Sequence, residues 1–154
     1  MSVAAIDGTL EAANLKRKVR NMSIYDSIVI RRDGGGEERL GKTIVANAVA
    51  DALQPGTRGR FYTYASIDHK GMHGVRTGDG KAVYDFPQNN EKLMLVVLAV
   101  NAIWLVGGIL LDGRARYFPL ALVLLAVIVY PLYRKTRLES RRQFDADNAR
   151  ALPA

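Results

Sequence analysis

The segments LMLVVLAVNAIWLVGGILL, from Leu93 to Leu111, and YFPLALVLLAVIVYPLY, from Tyr117 to Tyr133, decide how this chain is built. The first contains one strongly polar residue, Asn101, and the second contains no charged residue. As α-helices they would reach roughly 28 and 26 Å, close to the ~30 Å hydrocarbon core of a bilayer. In lipid, every backbone N–H and C=O must be paired within its own segment. We therefore expect two transmembrane helices, with a buried helical pair of a soluble protein as the alternative.

The connector between the two segments, Asp112–Arg116, is short enough to require an antiparallel hairpin. Asn101 lies near the middle of the first span, and Gly107 and Gly108 follow on later turns. An amide in hydrocarbon needs a partner, and small residues let helices approach closely. These residues predict either packing within the hairpin or a contact with a protein partner or a second copy.

The residues that follow the second span are strongly basic. Such a flank is typical of the cytoplasmic side and also meets anionic lipid headgroups. The N-terminus, MSVAAIDGTLEAAN, lacks the basic start and apolar run of a signal peptide. We expect an integral protein of the bacterial inner (plasma) membrane with both termini in the cytoplasm. The basic residues expected to meet headgroups are Arg134, Lys135, Arg137, Arg141 and Arg142.

The composition limits the chemistry that the chain can perform. Its 154 residues include 22 Lys and Arg against 15 Asp and Glu, for a net charge of +7. This charge is concentrated beside the second span and in residues 16–20, which favours a membrane-facing surface over nucleic-acid binding. There is no Cys, which excludes disulfides, thiol catalysis and Cys-based zinc sites.

The residues before the spans predict a small antiparallel, mainly-β domain, either a barrel or a sandwich of the OB or SH3-like kind. Residues 6–20 fit a short helix or a strand, and the β-like sequence that follows favours the strand. The domain boundaries that we expect are 1–90 for the β domain, 91–134 for the hairpin and 135–154 for a basic cytoplasmic tail, disordered after Arg142. The predicted strands cover residues 23–32, 40–46, 59–67, 72–77 and 81–86, with a short helix over 47–53.

One motif points to nucleotide chemistry. Gly36–Thr43, GEERLGKT, satisfies the pattern G-x-x-x-x-G-K-[ST] and resembles the phosphate-binding loop of P-loop nucleotide hydrolases. The resemblance implies that Gly36, Gly41, Lys42 and Thr43 would hold phosphates and Mg²⁺. A Gly-rich hairpin followed by a strand explains the same residues, because the roughly fifty residues that precede the membrane read as hairpins rather than crossover units of ~30 residues. We expect no cofactor and retain nucleotide binding as the alternative.

The two histidines are candidate metal ligands. His69 and His73 lie four residues apart beside Asp68, but Gly71 and Gly74 disfavour the helix that would place both rings on one metal. We expect no metal site and no catalytic residue.

Basic and aromatic residues alternate along one predicted strand and its neighbour, as in barrels that stack single-stranded nucleic acid. At least one aromatic must face the core, because neighbouring residues of a strand point to opposite sides. We expect no nucleic-acid partner, with membrane-tethered nucleic-acid binding as a further alternative. The residues concerned are Arg58, Arg60, Phe61, Tyr62, Tyr64 and Arg76.

Taken together, these features predict a small integral membrane protein whose β domain faces the cytosol. We expect a non-enzymatic adaptor, assembly or regulatory subunit rather than an enzyme.

Overall fold

The described part of the chain contains seven β-strands, all before residue 85, and two long helices follow them. A computed structural model describes residues 2–87 and 89–147. The elements are β1 (Ser2–Lys18), β2 (Met22–Arg32), β3 (Glu37–Leu40), β4 (Thr43–Ala46), α1 (Asn47–Ala50), β5 (Arg58–Ala65), β6 (Lys70–Thr77), β7 (Ala82–Tyr84), α2 (Asn89–Asp112) and α3 (Tyr117–Ala146).

Five of the strands form a closed barrel in the order β1-β2-β4-β6-β5, and β5 returns to β1. The pairs are antiparallel except β4 with β6, which is parallel. The strands β3 and β7 extend the sheet beside β2 and β6. The predicted barrel is therefore confirmed, and residues 6–20 belong to a strand as far as Lys18.

The long strand β1 closes the barrel because it pairs with β5 along its first half and with β2 along its second half. The two pairings meet at Gly8, where a Cβ atom would collide with the backbone carbonyl of Arg31. Glycine is required at this position because two backbones approach each other too closely for any side chain.

The barrel interior is apolar, as the strand alternation predicts. Its centre includes Leu10, Ile28, Phe61 and Val75, each with no exposed surface. The short helix α1 closes one end of this core through Val49. Burial of side chains of this size stabilises the fold by about 1.5–3 kcal/mol each.

One predicted strand is wrong in detail. Residues 40–46 do not form a single strand, because β3 and β4 pair with different parts of β2. The residues Gly41 and Lys42 lie between the two strands. β3 pairs with Ile28–Arg31, whereas β4 pairs with Met22–Tyr25.

The two apolar segments form helices that are long and apolar enough to cross a membrane. α2 ends at Asp112, and the positive φ of Gly113 (64°) lets its N–H bond back to the Ile109 carbonyl at 3.1 Å. Many apolar side chains on these helices are exposed, including Ile103 (74%) and Leu111 (87%).

Residues 143–146, for which the sequence predicts disorder, are helical in the structure. α3 continues through the basic residues to Ala146, and residues 148–154 lie outside the described part of the chain.

The described residues form two compact units: residues 89–135 form one, and residues 2–87 with 136–147 form the other. The end of α3 thus belongs to the same unit as the barrel.

Candidate docking site on the barrel

The outer face of β5, β6 and β7 is covered by residues 136–147, which we call the cap segment. Its side chains at helical spacing, Thr136, Ser140 and Phe144, are 1%, 0% and 7% exposed. A spacing of four residues places all three on one face of α3. The cap segment therefore covers the barrel with a narrow and mostly polar stripe.

Phe144 is the central contact of the cap segment. Its ring centroid lies 5.0 Å from that of Tyr62 and 5.2 Å from that of Tyr84. The guanidinium carbon of Arg76 lies 4.2 Å from the centre of the same ring, in a cation–π arrangement. Gly74 forms the floor, since a Cβ atom there would lie 2.8 Å from the Phe144 ring. The ring therefore occupies a subsite formed by two tyrosines and one arginine, and the lack of a side chain at Gly74 leaves space for it.

The end of the cap segment is held by charge. The carboxylate of Asp147 accepts hydrogen bonds from the Tyr62 hydroxyl at 2.9 Å and from Arg60 Nη1 at 3.0 Å. Arg60 also donates to both oxygens of Asp7, at 2.6 and 2.7 Å, which orients its guanidinium. Burial, with the Asp147 hydrogen bond, raises the pKa of Tyr62 to about 12. Tyr62 is therefore a neutral hydrogen-bond donor at physiological pH.

His73 lies beneath the cap segment, within a ring of aromatic side chains. Its ring centroid is 6.0 Å from Tyr62, 5.9 Å from Tyr64 and 5.7 Å from Tyr84. The side chain is fully buried, and burial lowers the pKa of His73 to about 4, with the backbone of Ser140 opposing the shift. Neither ring nitrogen makes a hydrogen bond of good geometry to the described residues. His73 is therefore a neutral, buried imidazole at physiological pH.

The other histidine, His69, is tied into the β5–β6 turn. Its Nδ1 lies 2.7 Å from Asp68 Oδ1, and its Nε2 lies 3.1 Å from the Tyr64 hydroxyl. The sequence did not reveal this orienting pair. Burial raises the pKa of Tyr64, so its hydroxyl stays protonated and is poorly suited to nucleophilic attack. The arrangement stabilises the turn, and residues 2–87 and 89–147 contain no group of three or more potential metal ligands.

The P-loop-like motif adopts an extended conformation. Gly36, with φ of 86°, ends the turn after β2, and the next four residues form β3. Gly41 and Lys42 lie exposed between two strands, and Thr43 is buried and donates to the Gly41 carbonyl at 2.7 Å. A phosphate-binding loop instead wraps successive N–H groups around the anion and leads into a helix. The structure does not bring these four residues around a common centre.

The aromatic residues proposed for base stacking are covered. Phe61 points into the barrel, as the alternation predicted for at least one of them, and Tyr62 lies beneath Phe144. Tyr64 packs against Phe86 with ring centroids 4.7 Å apart. These three side chains are 0–3% exposed, so their rings are not accessible in this structure.

The predicted membrane residues lie on α2. Asn101 is 7% exposed and donates to the Val97 carbonyl one turn earlier, at 2.8 Å. A methyl group added at Gly107 would meet no described atom within 4 Å, whereas Gly108 makes room for the Arg116 side chain. One N–H of the Asn101 amide is thus paired within its own helix.

Of the predicted headgroup contacts, four side chains are exposed and Arg137 is half-buried. The exposed ones are Arg134, Lys135, Arg141 and Arg142.

Comparisons with protein families, curated proteins and solved structures found no match. The assignment of a function therefore depends on the geometry described above. Sequence reasoning missed the main residues of the contact between the cap segment and the barrel, Gly74, Phe144 and Asp147. One signal was present: Phe144 is the only aromatic residue after Tyr133, and it continues the spacing of Thr136 and Ser140.

Proposed function

We propose that this protein is a membrane-anchored, non-enzymatic adaptor, assembly or regulatory subunit of the bacterial inner membrane. One observation carries the proposal: α3 is a single helix that contains a membrane-length apolar run and then the cap segment packed on the barrel. A chain of this design joins a binding module directly to its anchor. The barrel supplies surfaces for contact, and the apolar helices keep it at the bilayer.

Exposed apolar surface supports the membrane anchor. Leu110 and Leu111 are 78% and 87% exposed, and similar side chains continue along both helices. Apolar surface this extensive is uncommon on soluble proteins and is stabilised by contact with hydrocarbon. The bilayer is therefore the proposed surrounding of α2 and α3.

The distribution of basic residues supports the orientation. The connector contributes only Arg114 and Arg116, whereas residues 134–142 contain five Lys and Arg. Basic flanks remain on the cytoplasmic side, where they also attract anionic headgroups. We therefore place the barrel and both termini in the cytoplasm.

Single cysteines test this orientation cleanly, because the chain has none of its own. The variants Ile67→Cys, Ala115→Cys and Asp145→Cys place a thiol at exposed positions in the barrel, the connector and the cap segment. An impermeant thiol reagent added to intact cells should label only Ala115→Cys, and all three should react once the membrane is opened. Labelling of Ile67→Cys in intact cells would place the barrel outside and refute the proposal.

The adaptor role requires the protein to exist in a complex. Full-length protein extracted in mild detergent should elute as a defined assembly, with a second protein or with further copies of itself. Recovery of a monomer alone, under several detergents that preserve the fold, would contradict this part of the proposal.

Nucleotide binding at Gly36–Thr43 and nucleic-acid binding stay as competing functions. The second would show a steep loss of affinity with added salt.

A further inference from the structure

The cap segment shows what kind of ligand the outer face of the barrel recognises. We propose that the face formed by β5, β6 and β7 is a docking site for the C-terminal end of a partner helix that carries an aromatic residue followed three positions later by a carboxylate. In the structure, Phe144 and Asp147 occupy this site in cis. The inference depends on the proposed adaptor function and names the chemistry of its partner.

The first feature that the site recognises is an aromatic ring. Tyr62 and Tyr84 contact two sides of the Phe144 ring, Arg76 lies over it, and Gly74 leaves room beneath. Tyrosine and arginine are the residues that most often dominate binding at protein interfaces. The subsite therefore has the composition of an interface hot spot.

The second feature is the end of a helix. Arg76 Nη2 donates to the backbone carbonyl of Phe144 at 2.9 Å. Phe144 lies in the last turn of α3, where carbonyl groups have no partner within the helix and carry partial negative charge. The Arg76 side chain thus contacts both the ring of Phe144 and the backbone carbonyl of the same residue at the end of the helix.

The third feature is a carboxylate. Asp147 lies between Arg60 and the Tyr62 hydroxyl, and Asp7 holds the Arg60 guanidinium in place. A carboxylate three residues after the aromatic residue lies about one helical turn further along. The spacing between the two subsites therefore matches an aromatic-x-x-acid sequence.

The contact between the cap segment and the barrel is open to competition, because it buries polar atoms at a cost. The ring nitrogens of His73 and the hydroxyl of Ser140 are fully buried and make no hydrogen bond of good geometry to any described residue. A buried hydroxyl without a partner, such as that of Ser140, loses the bonds that it makes to water, and His73 has only the backbone of Ser140 to replace them. A partner helix that pairs with His73, or presents an apolar side chain in place of Ser140, avoids this cost. Such a helix would displace the cap segment.

A binding experiment with the full-length protein in neutral detergent tests this inference. The probe is a fluorescent peptide with the sequence of residues 134–147, RKTRLESRRQFDAD, with blocked termini. The Phe144→Ala protein, whose own segment lacks the ring, should bind the peptide at least tenfold more tightly than the parent protein. Asp147→Ala protein provides a second measurement in case Phe144→Ala does not fold.

Peptide variants distinguish the site from non-specific attraction. Replacing the phenylalanine or the last aspartate of the peptide by alanine should each weaken binding at least tenfold. Replacing its leucine, which corresponds to the exposed Leu138, should leave binding unchanged. Equal affinity for the parent and Phe144→Ala proteins, or indifference to loss of the phenylalanine, would overturn the inference. If the peptide test fails while thiol labelling gives the expected orientation and a defined complex is recovered, the adaptor function is retained. The partner would then bind a different surface of the barrel.

Discussion

Acidification from pH 7.5 to pH 5 should weaken the contact between the cap segment and the barrel through protonation of His73. The docked state holds this imidazole neutral and buried, with a pKa of about 4, against 6.5 for an exposed histidine. The undocked or unfolded chain therefore binds a proton at a higher pH than the docked chain does. Stability present above pH 6.5 is lost as the pH falls towards 4.

The size of the effect follows from the difference between the two pKa values. Each unit of pH within this window removes about 1.4 kcal/mol, and the full window removes about 3 kcal/mol. At pH 5 the loss is about 2 kcal/mol, which is a ~30-fold change in the docking equilibrium. The neighbouring Tyr62 and Tyr84 do not titrate here, because burial raises both of their pKa values to about 12.

Hydrogen exchange at the amides of residues 136–147 measures this loss directly, and urea unfolding of the barrel provides a second measurement. Both should be compared between the parent and His73→Phe, which retains an aromatic ring but cannot bind a proton. Leu138→Ala, at an exposed position of the cap segment, is the matched control and should keep the pH dependence of the parent. If His73→Phe loses as much stability as the parent between pH 7.5 and 5, the reasoning about His73 is wrong.

Three further predictions test other parts of the structure. Gly74→Ala should destabilise the docked cap segment by about 1–3 kcal/mol through overpacking, whereas Gly41→Ala, with open space around it, should leave amide exchange in the segment unchanged. Lys42→Ala and Thr43→Ala should cause no nucleotide-specific defect, and a melting shift with ATP or GTP and Mg²⁺ that Lys42→Ala abolishes would favour the nucleotide-binding alternative instead. Asn101→Leu should keep membrane insertion and change helix association by only about 0.6 kcal/mol, so loss of a complex seen for the parent would reveal a functional contact.

The sequence predicted those elements whose signal is local. The two apolar runs are longer than the apolar face of a helix in a soluble protein, so each is recognised from its own residues. The alternating aromatic residues over 59–65 likewise indicate a strand, whatever strands it pairs with. The cap segment was missed because its buried stripe contains two hydroxyl residues and a single ring, which is too little apolar surface to predict packing. Its burial depends on Gly74 and Tyr62, which are distant in sequence. The backbone conformation of Gly36–Thr43 could not be predicted from the motif, because eight matching residues do not determine whether the backbone wraps around an anion or pairs with β2, as residues 37–40 do here.

The position of the cap segment at the end of the chain has a consequence for biosynthesis. The strands β5, β6 and β7 are complete at Tyr84, but Asp147 is translated only after both apolar helices. At 5–20 residues per second, translating the sixty-three residues from 85 to 147 takes roughly 3–13 s. During that interval the strands of the aromatic face have been translated and the cap segment has not. A nascent barrel therefore presents Tyr62, Tyr84 and Arg76 to other molecules before the completed chain can occupy them itself.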